Sequence, residues 1–165
     1  MANTYREGEN GVYMPAINLE KAKQTAEILK SRAGTDCRIV DYVDNDRKGF
    51  IAVASHLFKE SNYKYVVYTA EDAFPGMNWL KFAYEALETT GKSLLALNDG
   101  KWFGRLSAFG MVRSASAKPN YAPGNLFFEG YKSHYADNEL TDNARRQNSL
   151  VLRWDWAVSS FKCNS

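Results

Sequence analysis

Along the first part of the chain, short apolar runs alternate with stretches in which apolar residues recur every three or four positions. The short runs predict buried strands, because turn-forming polar residues or glycines bound them. They cover residues 11–17, 37–43, 63–68 and 93–97. The periodic stretches predict amphipathic helices: one begins after an N-cap at Asn18 and ends near Gly34, one covers about residues 49–59, and one ends at Gly91. Strands that alternate with helices predict an α/β fold with a mostly parallel sheet.

The second half of the chain has a less regular pattern. Residues 105–113 predict a strand, residues 114–124 a mobile loop, and residues 138–147 a helix. The run 151–158 predicts a last strand. No repeat, low-complexity tract or long linker divides the 165 residues, so we expect one domain.

Composition excludes several classes of protein. A net charge of +2 is too small to favour a nucleic-acid partner. Cys37 and Cys163 lack the spacing of a zinc site, so reduced thiols are expected. The polar residues 1–10 do not resemble a signal peptide, and no apolar run approaches the roughly 20 residues of a membrane span. These features predict a soluble, cytoplasmic protein without a transmembrane segment.

The most informative motif is an acid pair, Glu71 and Asp72, that follows the apolar run 63–68 and precedes a turn at Pro75. Open α/β sheets bind ligands at the carboxyl ends of their parallel strands. Paired carboxylates suit Mg²⁺ or Mn²⁺ that carries a substrate phosphate. The alternative is a solvated loop whose acids favour the positive end of the next helix, and residue pattern alone leaves the two interpretations evenly balanced.

Two further positions on the predicted strand edge carry polar groups. Asp44 ends the second strand and is suited to accept from a nucleobase or ribose, while Lys48 is suited to contact a phosphate. The alternative for Asp44 is a turn in which its side chain bonds to the backbone. Aromatic residues at 102–103 would serve either as a stacking platform or as packing under the loop.

A cluster at His134, Asp137 and Glu139 precedes the predicted helix of the second half. Asp137 is a candidate general base that deprotonates a hydroxyl nucleophile, or else a helix cap. The chain has no G-x-S-x-G, G-x-G-x-x-G or P-loop motif, which disfavours a serine hydrolase, a Rossmann dehydrogenase and a P-loop kinase.

In chain order, these motifs resemble those of the GT-A fold of inverting glycosyltransferases, especially family 2. The resemblance covers roughly residues 11–147. MPAIN resembles the family's strand-one motif and VDN its strand-two motif, VVYTAEDAFPGMNWL resembles the region of the metal-binding acids, and YADNEL resembles the later element that holds the base.

The resemblance implies a three-layer α/β/α sandwich with a nucleotide-binding half at residues 11–100 and an acceptor and base half at 101–165. It implies a nucleotide-diphosphate sugar as donor, Mg²⁺ or Mn²⁺ as cofactor, and inversion at the transferred sugar. The acceptor, whether glycan, lipid or protein, and the oligomeric state stay open. The implied site residues are Pro15, Asn18, Asp44, Lys48 and Glu71 for the donor, Asp72 for the metal and Asp137 for the base.

The sequence departs from the family's pattern at three points. Ala70 stands where the first metal-binding acid is usual, Ala136 replaces the acid before the base, and no His follows residue 134. These departures favour an alternative function, a catalytically weakened module of the same fold that binds a nucleotide, a glycan or a protein. A nucleotidyltransferase is disfavoured, because residues 15–23 lack the glycine-rich phosphate loop that such enzymes carry.

Overall fold

The predicted alternation of strands and helices is present in the first half of the molecule. The computed structural model describes residues 9–99, 105–132, 135–151 and 161–163. In chain order the first eight elements are β1 (Asn10–Ala16), α1 (Leu19–Ser31), β2 (Arg38–Val43), α2 (Phe50–Lys59), β3 (Tyr65–Tyr68), β4 (Ala73–Pro75), α3 (Trp79–Thr90) and β5 (Leu94–Ala96).

The second half contributes shorter elements and one longer helix. They are β6 (Gly110–Arg113), α4 (Ser114–Ala117), a 3₁₀ turn (Lys118–Asn120), α5 (Ala136–Arg146), β7 (Leu150–Val151) and β8 (Phe161–Cys163).

Six strands form the central sheet in the order β2-β1-β3-β6-β5-β7. β1 is parallel to both β2 and β3, and β5 is parallel to β7. β6 is antiparallel to its two neighbours, β3 and β5. The sheet is therefore mostly parallel, as the sequence predicted. A separate antiparallel pair joins β4 to β8.

Helices cover both faces of the sheet, which gives three layers. Successive strand residues point to opposite faces: in β1, Val12 and Met14 join the apolar cluster under α1 and α3, while Tyr13 joins the cluster under α2 and α5. In β3, Val67 packs on the first side and Val66 on the second. The four residues of β3 are fully buried, as its apolar run predicted.

Residues 114–124 were predicted as a mobile loop, and that prediction was wrong for their first part. Ser114–Ala117 is a helical turn and Lys118–Asn120 a 3₁₀ turn. The Lys118 ammonium anchors them, because it donates to the carbonyl of Ser61 at 2.6 Å and lies over the Phe58 ring. The sequence did not predict these turns, because the partner of Lys118 lies more than fifty residues earlier in the chain.

The other elements of the second half differ from prediction mainly in length. The strand expected at 105–113 is confined to Gly110–Arg113. The last predicted strand begins with β7, and residues 152–158 lie outside the described residues.

In the described parts of the chain, no helix combines the length and the apolar character needed to cross a membrane.

Candidate functional site

The carboxyl edge of the sheet gathers most of the predicted site residues. β1, β2, β3 and β5 run in the same direction, so the residues that follow them lie along one edge. Asn18 follows β1, Asp44 follows β2, and the acid pair Glu71 and Asp72 follows β3. Residues 98–99 follow β5 at the same edge. This edge is where ligands bind in open α/β sheets.

The loop between β2 and α2 folds around Asp44. One carboxylate oxygen, Oδ1, accepts the backbone N–H of Lys48 at 2.9 Å, and Oδ2 accepts that of Gly49 at 2.7 Å. The chain turns through two residues with positive φ, Arg47 at 54° and Gly49 at 93°. Hydrogen bonds from Gly49 and then Lys48 lower the pKa of Asp44 and outweigh its partial desolvation. The turn that the sequence left as an alternative is therefore formed.

The loop between β1 and α1 folds around an acid from a different part of the chain. Oε2 of Glu71 accepts the backbone N–H groups of both Ile17 and Asn18 at 3.0 Å. Asn18 in turn caps α1, since its Oδ1 accepts the N–H of Lys21 at 3.0 Å, as predicted. The Thr25 hydroxyl donates to the carbonyl of Glu71. Glu71 thus holds the β1–α1 loop in place, a role that its sequence context did not indicate.

The remaining donor-site and metal-site residues have contrasting surroundings. Pro15 is buried within β1, opposite Tyr42 of β2. Lys48 is exposed, and its ammonium lies 3.6 Å from a carboxylate oxygen of Asp46. Asp72 is half-buried, and among the described residues no hydrogen bond or ion pair is formed by its carboxylate. It is the acid of the pair that is not committed to the backbone.

Asp137 lies at the start of α5, near the end of β3. The helix begins at Ala136 with Tyr135 as its N-cap, so Asp137 is inside the first turn and is not the cap. Burial raises the pKa of Tyr68, a hydrogen bond with Ser107 opposes the rise, and the negative charge of Asp137 adds to it. Asp137 is thus close enough to the last residue of β3 to affect its ionisation.

A short chain of hydrogen bonds fixes α5 against the sheet. The Tyr68 hydroxyl donates to the carbonyl of Ser107 at 2.8 Å, and the Ser107 N–H donates to the Thr141 hydroxyl at 3.0 Å. Glu139 accepts from the Tyr121 hydroxyl at 3.2 Å. His134, Trp102 and Phe103, which the sequence also singled out, lie outside the described residues.

The described residues of this edge limit the kind of metal site that they could form. Within residues 9–99, 105–132 and 135–151, no three His, Cys, Asp or Glu side chains come together as ligands. One oxygen of Glu71 already accepts two backbone N–H groups. Mg²⁺ commonly uses one or two carboxylates together with substrate phosphates and water. Among the described residues, the edge therefore fits a cation that would arrive with a phosphate, with Asp72 as the carboxylate that could hold it.

The sheet order and the two helical layers form a glycosyltransferase-like fold, as the similarity to solved structures of a glycosyltransferase shows. The structure is similar to that of S. aureus TarS 1–349, with a TM-score of 0.63 and 16% sequence identity. It is also similar to the same fragment in complex with UDP-GlcNAc, with a TM-score of 0.66 and 17% identity. The matches cover 94% of this chain and 60% and 58% of the respective TarS chains.

The similarity is one of fold. This chain spans about 60% of the length of the TarS fragment that it matches. No protein-family model and no curated protein matches it by sequence. At 16–17% identity the likeness supports the glycosyltransferase-like fold, which agrees with the resemblance of the sequence motifs in their order.

Proposed function

We propose that this protein binds a nucleotide-diphosphate sugar and transfers the sugar to an acceptor hydroxyl. The observation that carries the proposal is that Asp44 and the acid pair 71–72 follow parallel strands at the carboxyl edge of a glycosyltransferase-like sheet, with Asp137 near Tyr68, the last residue of β3. The complex of TarS with UDP-GlcNAc supports a nucleotide sugar as the donor class.

The donor would lie across the ends of β1, β2 and β3. Asp44 uses one acceptor position of each oxygen for the backbone, and a carboxylate offers about four such positions. It therefore retains capacity to accept from the N–H of a nucleobase. Pro15, near the end of β1, and Asn18, in the β1–α1 loop, would form the floor under the base, and Glu71 would keep that loop in position. Lys48 would contact a phosphate.

A divalent cation would enter with the diphosphate. Mg²⁺ or Mn²⁺ held by Asp72 would neutralise the charge that develops on the leaving diphosphate. Within this chain the cation's only proposed ligand is that one carboxylate, so its affinity in the absence of nucleotide is expected to be low.

Asp137 would act as the general base. It would take the proton from the acceptor hydroxyl as the oxygen attacks the anomeric carbon, while the bond from that carbon to the diphosphate oxygen breaks on the opposite face. Attack from the face opposite the leaving group inverts the anomeric centre. Residues 101–165, which include α5, would form the acceptor side of the site.

The test combines binding and transfer measurements on the same variants. Asp137→Asn is expected to lower the rate of sugar transfer at least about a hundredfold and to leave UDP affinity unchanged, because a general base acts on the acceptor. Asp142→Asn, an exposed acid five residues later in α5, is the control and should transfer at the wild-type rate.

Asp72→Asn addresses the cation. It is expected to abolish the gain in UDP affinity that Mn²⁺ confers, while binding without metal is retained. Transfer that persists at the wild-type rate in both Asp137→Asn and Asp72→Asn would refute the assignment of these residues.

A second candidate function is a binding module without transfer activity. It is favoured by Ala70 and Ala136 at positions where acids are usual, and by the commitment of Glu71 to backbone amides. Calorimetry with UDP-GlcNAc, with and without Mn²⁺, distinguishes the two candidates when the products are assayed in parallel. Binding with neither hydrolysis nor transfer to any hydroxyl acceptor would favour the module.

A further inference from the structure

A groove of about 650 Å³ lies between α2 and the segment 125–132. Its α2 wall consists of residues at positions 51, 52, 55, 56 and 59, a spacing that places them on one face of the helix. The opposite wall includes Tyr131, which is half-buried and offers part of its ring. The volume lies within the range of small-molecule sites, roughly 300–1,000 Å³.

The groove is strongly basic. Four exposed cationic residues line it, Arg47, Lys48, Lys59 and Lys132, against one carboxylate, that of Glu129. The lining therefore holds more positive charge than the whole chain, whose net charge is +2. A cleft lined by charges of one sign concentrates ions of the opposite sign, so the groove is suited to an anion.

Two acids moderate this charge without cancelling it. The Asp46 carboxylate lies 3.6 Å from the Lys48 ammonium, and both side chains are largely exposed. Glu129 accepts from the side-chain amide of Asn125 at 2.7 Å. Surface pairs of this kind are weak, so a ligand phosphate competes readily with Asp46 for Lys48.

The cations lie at both ends of the groove. Lys48 precedes α2 and Lys59 is the last residue of that helix, which has 10 residues and is therefore about 15 Å long. The backbone of Lys132 lies at the first end, because its carbonyl oxygen is 3.6 Å from where a Cβ on Gly49 would be. A single phosphate reaches one end, whereas a ligand with several phosphates along its length reaches both.

The walls are held in place before any ligand arrives. Asp44 fixes the backbone of residues 48 and 49 at the first end. In the middle, the buried Ser55 hydroxyl accepts the N–H of Phe127 at 3.2 Å and joins α2 to the opposite wall. A site that is preformed in this way loses less conformational entropy when a ligand binds.

We propose that this groove is a binding site for an extended ligand that carries two or more phosphate groups. Lys59 and Lys132 contact phosphates at opposite ends, and the Tyr131 ring contacts the non-ionic part between them. This site does not depend on nucleotide-sugar transfer at the sheet edge, although Lys48 and Gly49 belong to both regions.

The experiment titrates the whole chain with inorganic tripolyphosphate and with orthophosphate, and follows binding by calorimetry. Tripolyphosphate should bind more tightly than orthophosphate, and its affinity should fall as salt rises. Lys59→Ala and Lys132→Ala should each weaken tripolyphosphate binding about fivefold, the effect of losing one solvent-exposed ion pair. Glu129→Gln should strengthen it, while Lys23→Ala, an exposed lysine on α1, should have no effect.

UDP binding to the same variants separates this proposal from the donor site. We expect Lys59→Ala and Lys132→Ala to leave UDP affinity unchanged, and Asp41→Asn, an exposed acid in β2, to change neither affinity. Failure of UDP to bind while tripolyphosphate still responds to Lys59 would refute the donor proposal alone. Equal affinity for tripolyphosphate and orthophosphate would contradict the proposed phosphate site in the groove. So would a Lys59→Ala variant that binds tripolyphosphate as well as Lys23→Ala does.

Discussion

Two loops at the carboxyl edge of the sheet use the same device, and they differ in where the acid comes from. In each, a carboxylate accepts two consecutive backbone N–H groups before a helix begins. Asp44 binds residues that follow it by four and five positions, whereas Glu71 binds residues 53 and 54 positions earlier in the chain. The first loop is closed by its own sequence, and the second is closed only when β3 has paired with β1.

The two carboxylates also distribute their hydrogen bonds differently. Asp44 uses both oxygens, one for each N–H, while Glu71 uses Oε2 for both. An amide side chain keeps one acceptor oxygen and replaces the other with a donor. The change from carboxylate to amide is thus expected to destabilise the fold at residue 44 and to have little effect on stability at residue 71.

The largest loss of stability is expected from Gly49→Ala, in the loop between β2 and α2. Gly49 has φ 93° and ψ 160°, a region that is nearly confined to glycine, so alanine should cost roughly 2 kcal/mol of unfolding free energy. Gly91→Ala is the control. It lies in the ordinary left-handed region at φ 68° and ψ 6°, and should cost about 1 kcal/mol. Urea denaturation measures both, and equal losses would show that the Gly49 backbone is not specially constrained.

Asp44→Asn is expected to have the next largest effect. Its amide nitrogen would face a backbone N–H, so one bond is replaced by a repulsion, and the urea midpoint should fall. UDP affinity should fall about tenfold, the change expected from loss of one hydrogen bond to a charged group. Unchanged affinity would remove Asp44 from the donor site.

The same variant gives a pH test with a definite sign. The pKa of Asp44 is lowered in the folded protein, so its contribution to stability is complete above the ordinary carboxyl pKa of about 4 and is lost as pH falls through the lowered value. The stability difference between wild type and Asp44→Asn should stay constant from pH 7 to about 5 and shrink at lower pH. A difference that grows towards acid pH would contradict the assignment.

Glu71 is expected to show a smaller and more selective effect. Glu71→Ala removes both exposed hydrogen bonds and should cost about 1 kcal/mol. Glu71→Gln can offer its remaining oxygen to both N–H groups and should stay within about 0.5 kcal/mol of wild type. If the two variants were equally destabilised, the carboxylate would have a role beyond holding the loop.

The smallest effect is expected at the helix cap next to that loop. Asn18→Ala removes the bond to the N–H of Lys21 and should cost about 0.5 kcal/mol, the low end for an N-cap because the site is exposed. Asn18→Asp keeps an acceptor there and should be close to neutral. Thermal unfolding of the two variants side by side measures the difference.

These loops also show how far the sequence could be interpreted. Asn18 as a cap and Asp44 as the centre of a turn were both predictable, because their partners lie within five residues. The hydrogen bonds of Glu71 were not, because they depend on the register between β1 and β3. The same limit applies to the basic groove, whose Lys59 and Lys132 belong to distant segments that only the packed structure brings together.

Strand order sets a similar limit. The apolar runs predicted the parallel strands and their helices, since each run is bounded by local turns. Nothing in residues 105–113 indicated that β6 inserts antiparallel between β3 and β5. For Asp137, the sequence offered a general base or a cap. Tyr135 holds the N-cap position, but Oδ1 of Asp137 accepts the N–H of Asn138 in the first turn, and its role as a base remains a prediction.

The position of β6 has a consequence for how the chain is made. β3 pairs with β1 on one side, but its other side waits for residues 110–113, more than forty residues later in synthesis. Until they emerge from the ribosome, a nascent chain presents Tyr65–Tyr68 as an unpaired apolar edge, the kind of surface that recruits other strands. A fragment that stops at residue 100 should therefore aggregate, and a chaperone would matter most between the emergence of β3 and the emergence of residues 110–113.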